Sequence, residues 1–488
     1  GLAGSFAGLE LARAGMSVLF VEQAAAPRNG ENPQITELHV ELALGSGPFV
    51  SMPAGVAAVG GTSVIYAAAL ERPERHDIED MPGLPHPTGS WPVGFDALNP
   101  ILAEAEGMLG VCGEPDPLGT GNYAHLKPPP PMSPGDAAID LALREQGLHP
   151  YRTHVGIGYD AACLECIGRP CPRKCKGEAR TAALMPALAT GRAALLDRAR
   201  ALRLETEGDR VTGLVVEREG VLLTLRGKRF LLGAGALASA QLLLASQSAA
   251  WPDGLANRSG LVGRNLMFHL SERFAIWPPS RAPFAMPAKT LALRDMYRVG
   301  TDRFGVVQSM GLSADYGNVL MYLYERFDRG PLRRVTPLRH LLRIPARLAA
   351  LALGHARIFV GILEDPPDAA NRVLPGSEPG KPPRLLYRLS DDFEHRRHRY
   401  RLAIRQALKG QHWFFLNYQP ELNLPHACGT ARFGHDSRHS VLDAQCRAHD
   451  LRNLWVVDAS FMPTATGVNP GLLIAANSMR VGRAIVNE

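Results

Sequence analysis

The opening stretch, GLAGSFAGLELARAGMSVLFVEQ, constrains the fold more than any other part of the chain. Leu9, Leu11 and Ala12 recur at helical spacing, Gly15 ends that helix, and Val18 to Val21 reads as a short buried strand. Gly1, Gly4 and Gly8 stand where the later glycines of a dinucleotide fingerprint fall. Gly1 is expected to let the backbone approach a pyrophosphate, and Gly4 to allow close packing of helix on strand. The helix N-terminus would receive the phosphate charge. Glu22 ends the strand about 20 residues on, where an acid accepts hydrogen bonds from a ribose diol. An acid at that place favours an unphosphorylated ribose, as in FAD or NAD.

Strand and helix alternate again at residues 180–245, with helix from Thr181 to Leu188, strands at 213–216, 222–225 and 230–232, and helix from Ala238 to Ala245. Near the C-terminus, LWVVD at 454–458 reads as another buried strand and Leu472 to Val486 as a closing helix. Residues 30–60 read as a Gly- and Pro-punctuated loop, 95–109 as helix, 128–134 as a Pro-rich connector, and 270–420 as an irregular region with aromatic strands. Alternation at both ends with a different texture between them points to one nucleotide-binding fold completed by distant segments. With 46% apolar and 20% charged side chains over 488 residues, such a fold has ample core and is not a disordered chain.

The basic balance is local. From Arg326 to Arg347 there are seven arginines and one acid, Asp328, which equals the whole net charge of +6. A nucleic-acid footprint would spread further and interleave lysine, so nucleic acid is not an expected partner. Pro337 and Pro345 limit this segment to short amphipathic helices, which suit either a solvated face or contact with an anionic membrane surface through 331–349. The longest apolar stretch, Leu348 to Leu363, is broken by His355 and Arg357 and falls short of a membrane span. No signal peptide is visible, and the chain opens without Met, so an export signal would lie before Gly1. A cytoplasmic and a periplasmic home are both open.

Cys163, Cys166, Cys171 and Cys175 form a dense thiol set spaced C-x2-C-x4-C-x3-C. Four sulfurs this close in sequence are expected to bind zinc or an iron–sulfur cluster, pair as disulfides, or remain as thiols. Arg169, Arg173, Lys174 and Lys176 lie among them and would offset thiolate charge. In the C-terminal block, His426 precedes Cys428-Gly429-Thr430, and Asn469 sits in a Gly-Val-Asn-Pro turn before a helix. Spacing alone does not make these two a site.

Several segments together resemble the glucose–methanol–choline (GMC) oxidoreductase family, over almost the whole chain. The N-terminal glycines and Glu22 resemble its FAD site, and Gly60-Gly61-Thr62-Ser63 its flavin loop. Trp91-Pro92 with Asp96 and Leu98, Gly233-Ala234-Gly235-Ala236-Leu237, Gly263-Arg264-Asn265-Leu266-Met267 and Glu364-Asp365-Pro366 through Asn371-Arg372-Val373 are further marks. The HACGT, VVDAS and GVNP patterns, in that order, are the most specific.

The resemblance implies a mixed α/β fold. A discontinuous Rossmann-like FAD-binding domain (1–70, 176–269 and 420–488) would adjoin a sheet-based substrate domain (71–175 and 270–419) that includes the Cys-rich loop. It implies His426 as general base and Asn469 as the second active-site position. Asp458 and Ala459 would contact the flavin, Ala234, Gly235 and Pro470 would bind the cofactor, and Ala201 would contact the adenine. FAD would be held non-covalently, since no histidine stands just before Gly60. Tyr66 stands where many members carry Asn. The implied reaction is hydride transfer from an alcohol, sugar or sterol-like CH–OH donor, as dehydrogenase or oxidase. A redox-silent flavin lyase is the alternative, and a metal-binding interaction protein with a decayed site is a third. The acceptor would be a partner protein, a quinone or oxygen. Cys166, Cys171 and Cys175 share the spacing of a three-iron, four-sulfur motif in membrane-associated sugar dehydrogenases of the family, although those members begin with two adjacent cysteines.

Overall fold

The computed structural model describes residues 1–27, 31–330, 335–376 and 381–488. The first helix, Leu2–Arg13, buries Phe6, Ala7, Leu9 and Leu11. It packs along the closing helix, Gly471–Val486, whose Leu472, Leu473, Met479 and Ile485 are fully buried. Each such large apolar side chain contributes about 1.5–3 kcal/mol by leaving water. The approach is close enough that a Cβ on Gly482 would lie 2.9 Å from that of Glu10. Arg483 then reaches Glu10 at 3.0 Å across the seam.

Two parallel ribbons accompany this helix pair. Val18–Val21 pairs with Ala193–Leu196, and Phe230–Leu232 pairs with Leu454–Val456. Both join segments far apart in sequence, as expected for a nucleotide-binding fold assembled from both ends of the chain. The helix foreseen at 181–188 runs from Arg180 to Ala189 and opens with a wide π turn. An antiparallel meander of three strands (199–207, 210–218, 221–225) follows. Ala201 lies near the start of its first strand.

The loop expected at 30–60 is largely strand among its described residues. Thr36–Leu44 and Val50–Ala57 are antiparallel strands, and Arg384–Tyr387 adds parallel to the first of them. Leu38, Val40 and Leu42 recur at the period of two that a strand requires, and Pro53 and Gly55 punctuate its partner. Both sit on the edge strand beside the register shift at Leu38/His39, where the ladder does not need a proline N–H. This sheet joins 36–57 to 372–387, stretches that the sequence reading places in different domains.

Residues 270–420 are also more regular than expected. Six strands form one antiparallel sheet in the spatial order 413–415, 269–276, 357–364, 307–313, 291–293, 151–152. Phe274, Phe359 and Leu363 fill the core on one of its faces against Phe393, Tyr400 and Ile404 of helix Asp391–Ala407. Between strands 307–313 and 357–364 the chain makes a helical excursion through Tyr316–Arg329, Thr336–Leu341 and Arg343–Leu353. The short amphipathic helices expected there are present, and residues 331–334 of the suggested membrane contact lie outside the described residues.

Candidate active site

Three backbone turns meet at the N-terminus of the first helix. A Cβ on Gly61, whose φ is +61°, would lie 2.8 Å from Cα of Gly1. One on Gly233 would lie 2.7 Å from the Gly4 nitrogen. These contacts exclude side chains and bring the 60–61 turn, the helix start and the 233–235 turn together as a backbone cradle. The packing role expected of Gly4 belongs elsewhere: a Cβ on Gly4 meets nothing within 4 Å, whereas one on Gly8 would lie 2.4 Å from the Phe20 ring. Helix and strand close at Gly8.

The cradle is stapled by side chains. Ser63 Oγ donates to Gly60 O at 2.7 Å and accepts from Ala179 N at 3.1 Å, fixing the turn to the 180–189 helix. Thr62 lies in the same turn beside Gly55. Asp458 is buried, and its carboxylate is spent on the protein. One oxygen accepts from Gly235 N (3.0 Å) and Ser239 Oγ (2.5 Å), the other from Ser460 N (3.0 Å) and Ser460 Oγ (2.6 Å). Burial raises its pKa and these hydrogen bonds pull against the rise. Ala234 N donates to Ser239 Oγ, and Ala459 O accepts from Gly429 N. Glu22 is half-buried at the end of its strand and accepts from Ala24 N.

His426 ends a single turn, Leu424–His426, just before an antiparallel bridge between Cys428 and Met267. Counting outward from that bridge places residue 269 opposite residue 426, with both side chains on one face. The structure shows that pair: Nδ1 of His426 lies 3.0 Å from Nδ1 of His269, with perpendicular rings 5.0 Å apart. His269 Nε2 lies 2.9 Å from the Thr466 carbonyl. A carbonyl only accepts, so Nε2 of His269 carries the proton and its Nδ1 is left as an acceptor. His426 must then donate from Nδ1, which leaves a lone pair on its Nε2. Asn423 Nδ2 lies 3.3 and 3.4 Å from the two ring nitrogens of His426.

Burial, with the His269 charge as a second cause, holds the His426 pKa well below the ordinary histidine value. Burial takes His269 down to about 4, against hydrogen bonds to the 465–466 backbone. Both rings are therefore neutral at physiological pH, as the tautomer assignment requires. The sequence reading missed His269. Its one available sign was a histidine two residues after Met267, inside a segment already marked by Gly263-Arg264-Asn265-Leu266-Met267.

The loop that receives His269 is strained. Thr466 has φ +62°, a costly value for a β-branched residue and one that clusters at functional sites. Its hydroxyl and Oδ1 of Asn469 are buried without a hydrogen-bond partner among the described residues. Pro470 then caps the closing helix. A Cβ on Gly471 would touch Leu70, Leu2 and Tyr66, so the 469–471 turn reaches back to the 60–66 turn.

The cysteine loop reaches the same turn. Lys176 Nζ is buried and donates to carbonyls of Val64 (3.3 Å), Cys166 (2.7 Å) and Arg169 (3.1 Å), and Gly168 N donates to Ile65 O. All four thiols are free and line one cavity of about 220 Å³. Burial raises the Cys163 thiol, and burial with Asp160 raises Cys175 to about 11. Cys171 is lowered: burial acts upward, but the N–H groups of Cys175, Arg173 and Lys176 and the Cys166 side chain outweigh it. Among the described residues, no three His, Cys, Asp or Glu side chains are gathered to hold a metal ion. No helix among them is long and apolar enough to cross a membrane.

Comparison with known proteins agrees with this geometry. The N-terminal GMC oxidoreductase profile matches residues 10–271 and the C-terminal one residues 403–478. The chain is 30% identical to 6'''-hydroxyparomomycin C oxidase of Streptomyces lividus and to paromamine 6'-oxidase of Streptomyces fradiae, in each case over all of this chain and 90% of the relative. The solved structure of pyridoxine 4-oxidase from Mesorbium loti superposes with a TM-score of 0.66 at 20% identity, covering 100% of this chain and 98% of that one. The chain belongs to the GMC oxidoreductase family and is an FAD-dependent oxidoreductase.

Proposed function

We propose that the chain oxidises a CH–OH group of a small polar alcohol, with His426 as the base that takes the hydroxyl proton. The observation that carries this reading is the hydrogen-bonded series from His426 through His269 to the Thr466 carbonyl, which puts the His426 lone pair on Nε2, where a substrate hydroxyl would compete only with a long 3.4 Å approach of Asn423 Nδ2. A lowered pKa keeps that lone pair free at neutral pH. Asn469, its Oδ1 unpartnered, would hold the hydroxyl and align the carbinol C–H, a positioning contribution. His269 would act through His426 as a positioning residue, since it fixes the tautomer.

The residues present fit FAD. Gly1, Gly4, Gly60 and Gly61 would let its pyrophosphate and ring approach backbone, while Glu22 would accept from the ribose diol. Thr62, Ser63, Ala234, Gly235, Asp458, Ala459 and Pro470 would shape the flavin's surroundings, and Ala201 would face the adenine through its backbone. Domain boundaries at 1–70, 176–269 and 420–488 against 71–175 and 270–419 would put the alcohol between the two. When bound, FAD supplies the two-electron acceptor for the hydride that leaves the carbinol carbon. Oxygen, a quinone or a protein would then take the electrons onward.

For Cys163, Cys166, Cys171 and Cys175 we infer a zinc or iron–sulfur site. The cavity that the four thiols share supports it.

The test of the main reading is anaerobic mixing of purified flavoprotein with an alcohol panel that includes paromamine and 6'''-hydroxyparomomycin C, the compounds in the two relatives' names. Bleaching of the flavin by at least one alcohol is expected. An alcohol consumed while the flavin stays oxidised would instead favour the lyase alternative.

A further inference from the structure

The helix Arg343–Leu353 is built inside out. Its protein-facing side buries Ala346 and Leu353, while its large apolar side chains face solvent: Ile344 is 63% exposed, Leu348 63% and Leu351 73%. These three stand at i, i+4 and i+7, one stripe along the helix. Leu341, 56% exposed, extends the stripe by one turn onto the preceding helix. Isolated exposed leucines are ordinary, but an aligned apolar ridge on one helix is not. A helix that needed only to cover the sheet would have been oriented with its leucines inward.

Helices Thr336–Leu341 and Arg343–Leu353 carry charge of one sign, with acids only on the neighbouring helix Tyr316–Arg329. From Arg329 to Leu363 the sequence holds seven arginines and no carboxylate. Arg339 is engaged by Asp328 at 2.9 Å. Arg343 and Arg347 flank the stripe and are exposed. An apolar ridge between arginines is complementary to a surface that is apolar below and anionic above, the boundary of a bilayer containing anionic lipid. It does not suit a second copy of the same ridge, which would bring arginines against arginines.

We propose that the excursion formed by Thr336–Leu341 and Arg343–Leu353 docks this protein on anionic membrane surfaces, with Ile344, Leu348 and Leu351 entering the acyl boundary and Arg343 and Arg347 on lipid phosphates. The topology leaves the candidate active site clear. The excursion hangs from Ser313 and Arg357, whereas strand 357–364 and residue Val306 lead away from it toward Gly467, whose carbonyl accepts from Val306 N at 2.9 Å. Docking would hold the enzyme at the surface with its substrate side turned away, and does not depend on the proposed reaction.

Flotation of the flavin-loaded full chain with vesicles tests this. Vesicles of phosphatidylcholine with about one third phosphatidylglycerol are compared with phosphatidylcholine alone, at low and physiological salt. Expected are binding to the anionic vesicles only, weakening with salt, and a loss of about tenfold or more in the triple variant Ile344→Ser, Leu348→Ser, Leu351→Ser. Arg343→Glu with Arg347→Glu should lose about thirtyfold. Flavin content and thermal midpoint confirm that the variants fold. Equal binding by native and variant chains, or no preference for anionic vesicles, overturns the proposal. So does lipid-free self-association of the native chain that the triple variant abolishes, since a second copy would then cover the ridge.

Discussion

The histidine pair at His426 and the cysteine loop are organised in opposite ways. At His426 the members order one another, because a carbonyl that can only accept fixes His269, and His269 fixes His426. In the cysteine loop four thiols share a cavity without converging. A thiol is a weak donor and a weak acceptor, so hydrogen bonding cannot gather thiols as it gathers imidazoles. The loop is held instead through its backbone, by Lys176 and by Gly168. Density in sequence and order in space are thus separate properties, and the less conspicuous pair of histidines has the better-defined chemistry.

The comparison breaks most visibly at His426. His426→Ala should keep its flavin and lose about 10²–10⁴ in kcat, the usual worth of a general base. Unchanged turnover would remove it from the reaction. His269→Phe takes away the partner that fixes the tautomer, and losing one partner of a buried hydrogen bond costs about 1–3 kcal/mol, or about 5- to 150-fold in kcat. His269→Gln, which can still accept from His426 and donate to Thr466, should recover much of that loss. A purely structural role would show as equal loss in both variants with a falling thermal midpoint.

The pH dependence sharpens the same point. Burial depresses the pKa of His426, so its neutral form persists below 6.5, the ordinary histidine value. Activity limited by this group should stay level as pH falls through that value and decline only in more acid solution. Stability carries the same sign: below 6.5 the unfolded chain binds a proton that the folded chain refuses, so the fold weakens as pH drops. An activity limb centred at an unshifted histidine value would show that His426 is solvated in the working enzyme.

On the cysteine side, metal and acid-labile sulfide analysis of anaerobically purified protein, with alkylation of its thiols, is expected to find stoichiometric zinc or iron and protected cysteines. Metal-free protein with every loop thiol alkylated would reduce the loop to a structural element. The smallest effect belongs to the staple at Ser63. Ser63→Ala removes the link between Gly60 and Ala179, worth about 1 kcal/mol, and should weaken flavin retention by several-fold on dilution with little change in kcat.

The ends of the chain were the legible part of the fold. Leu2–Arg13, Val18–Val21, Phe95–Leu109 and Gly471–Val486 each carry a full local signal of apolar period and terminator, and each falls within a residue or two of its reading. The strands at 36–57 depend on a partner more than three hundred residues away, and Pro53 gave a contrary local signal. Helix Pro134–Glu145 carried a serine cap and a proline at its first position, hidden beside a proline-rich run. His426 and Asn469 came from a resemblance between patterns rather than from spacing. His269 could not be paired with His426 until the Met267–Cys428 bridge was known, because register across distant strands has no local sequence signature.

The central claim is that His426, set by His269, removes the proton from an alcohol at the flavin. Its most direct test is the single-turnover rate of anaerobic flavin bleaching by the best alcohol of the panel, in native protein and in His426→Ala at matched flavin content. A rate reduced about a hundredfold or more in the variant, with the flavin still bound, is the expected result. Bleaching at the native rate would contradict the claim.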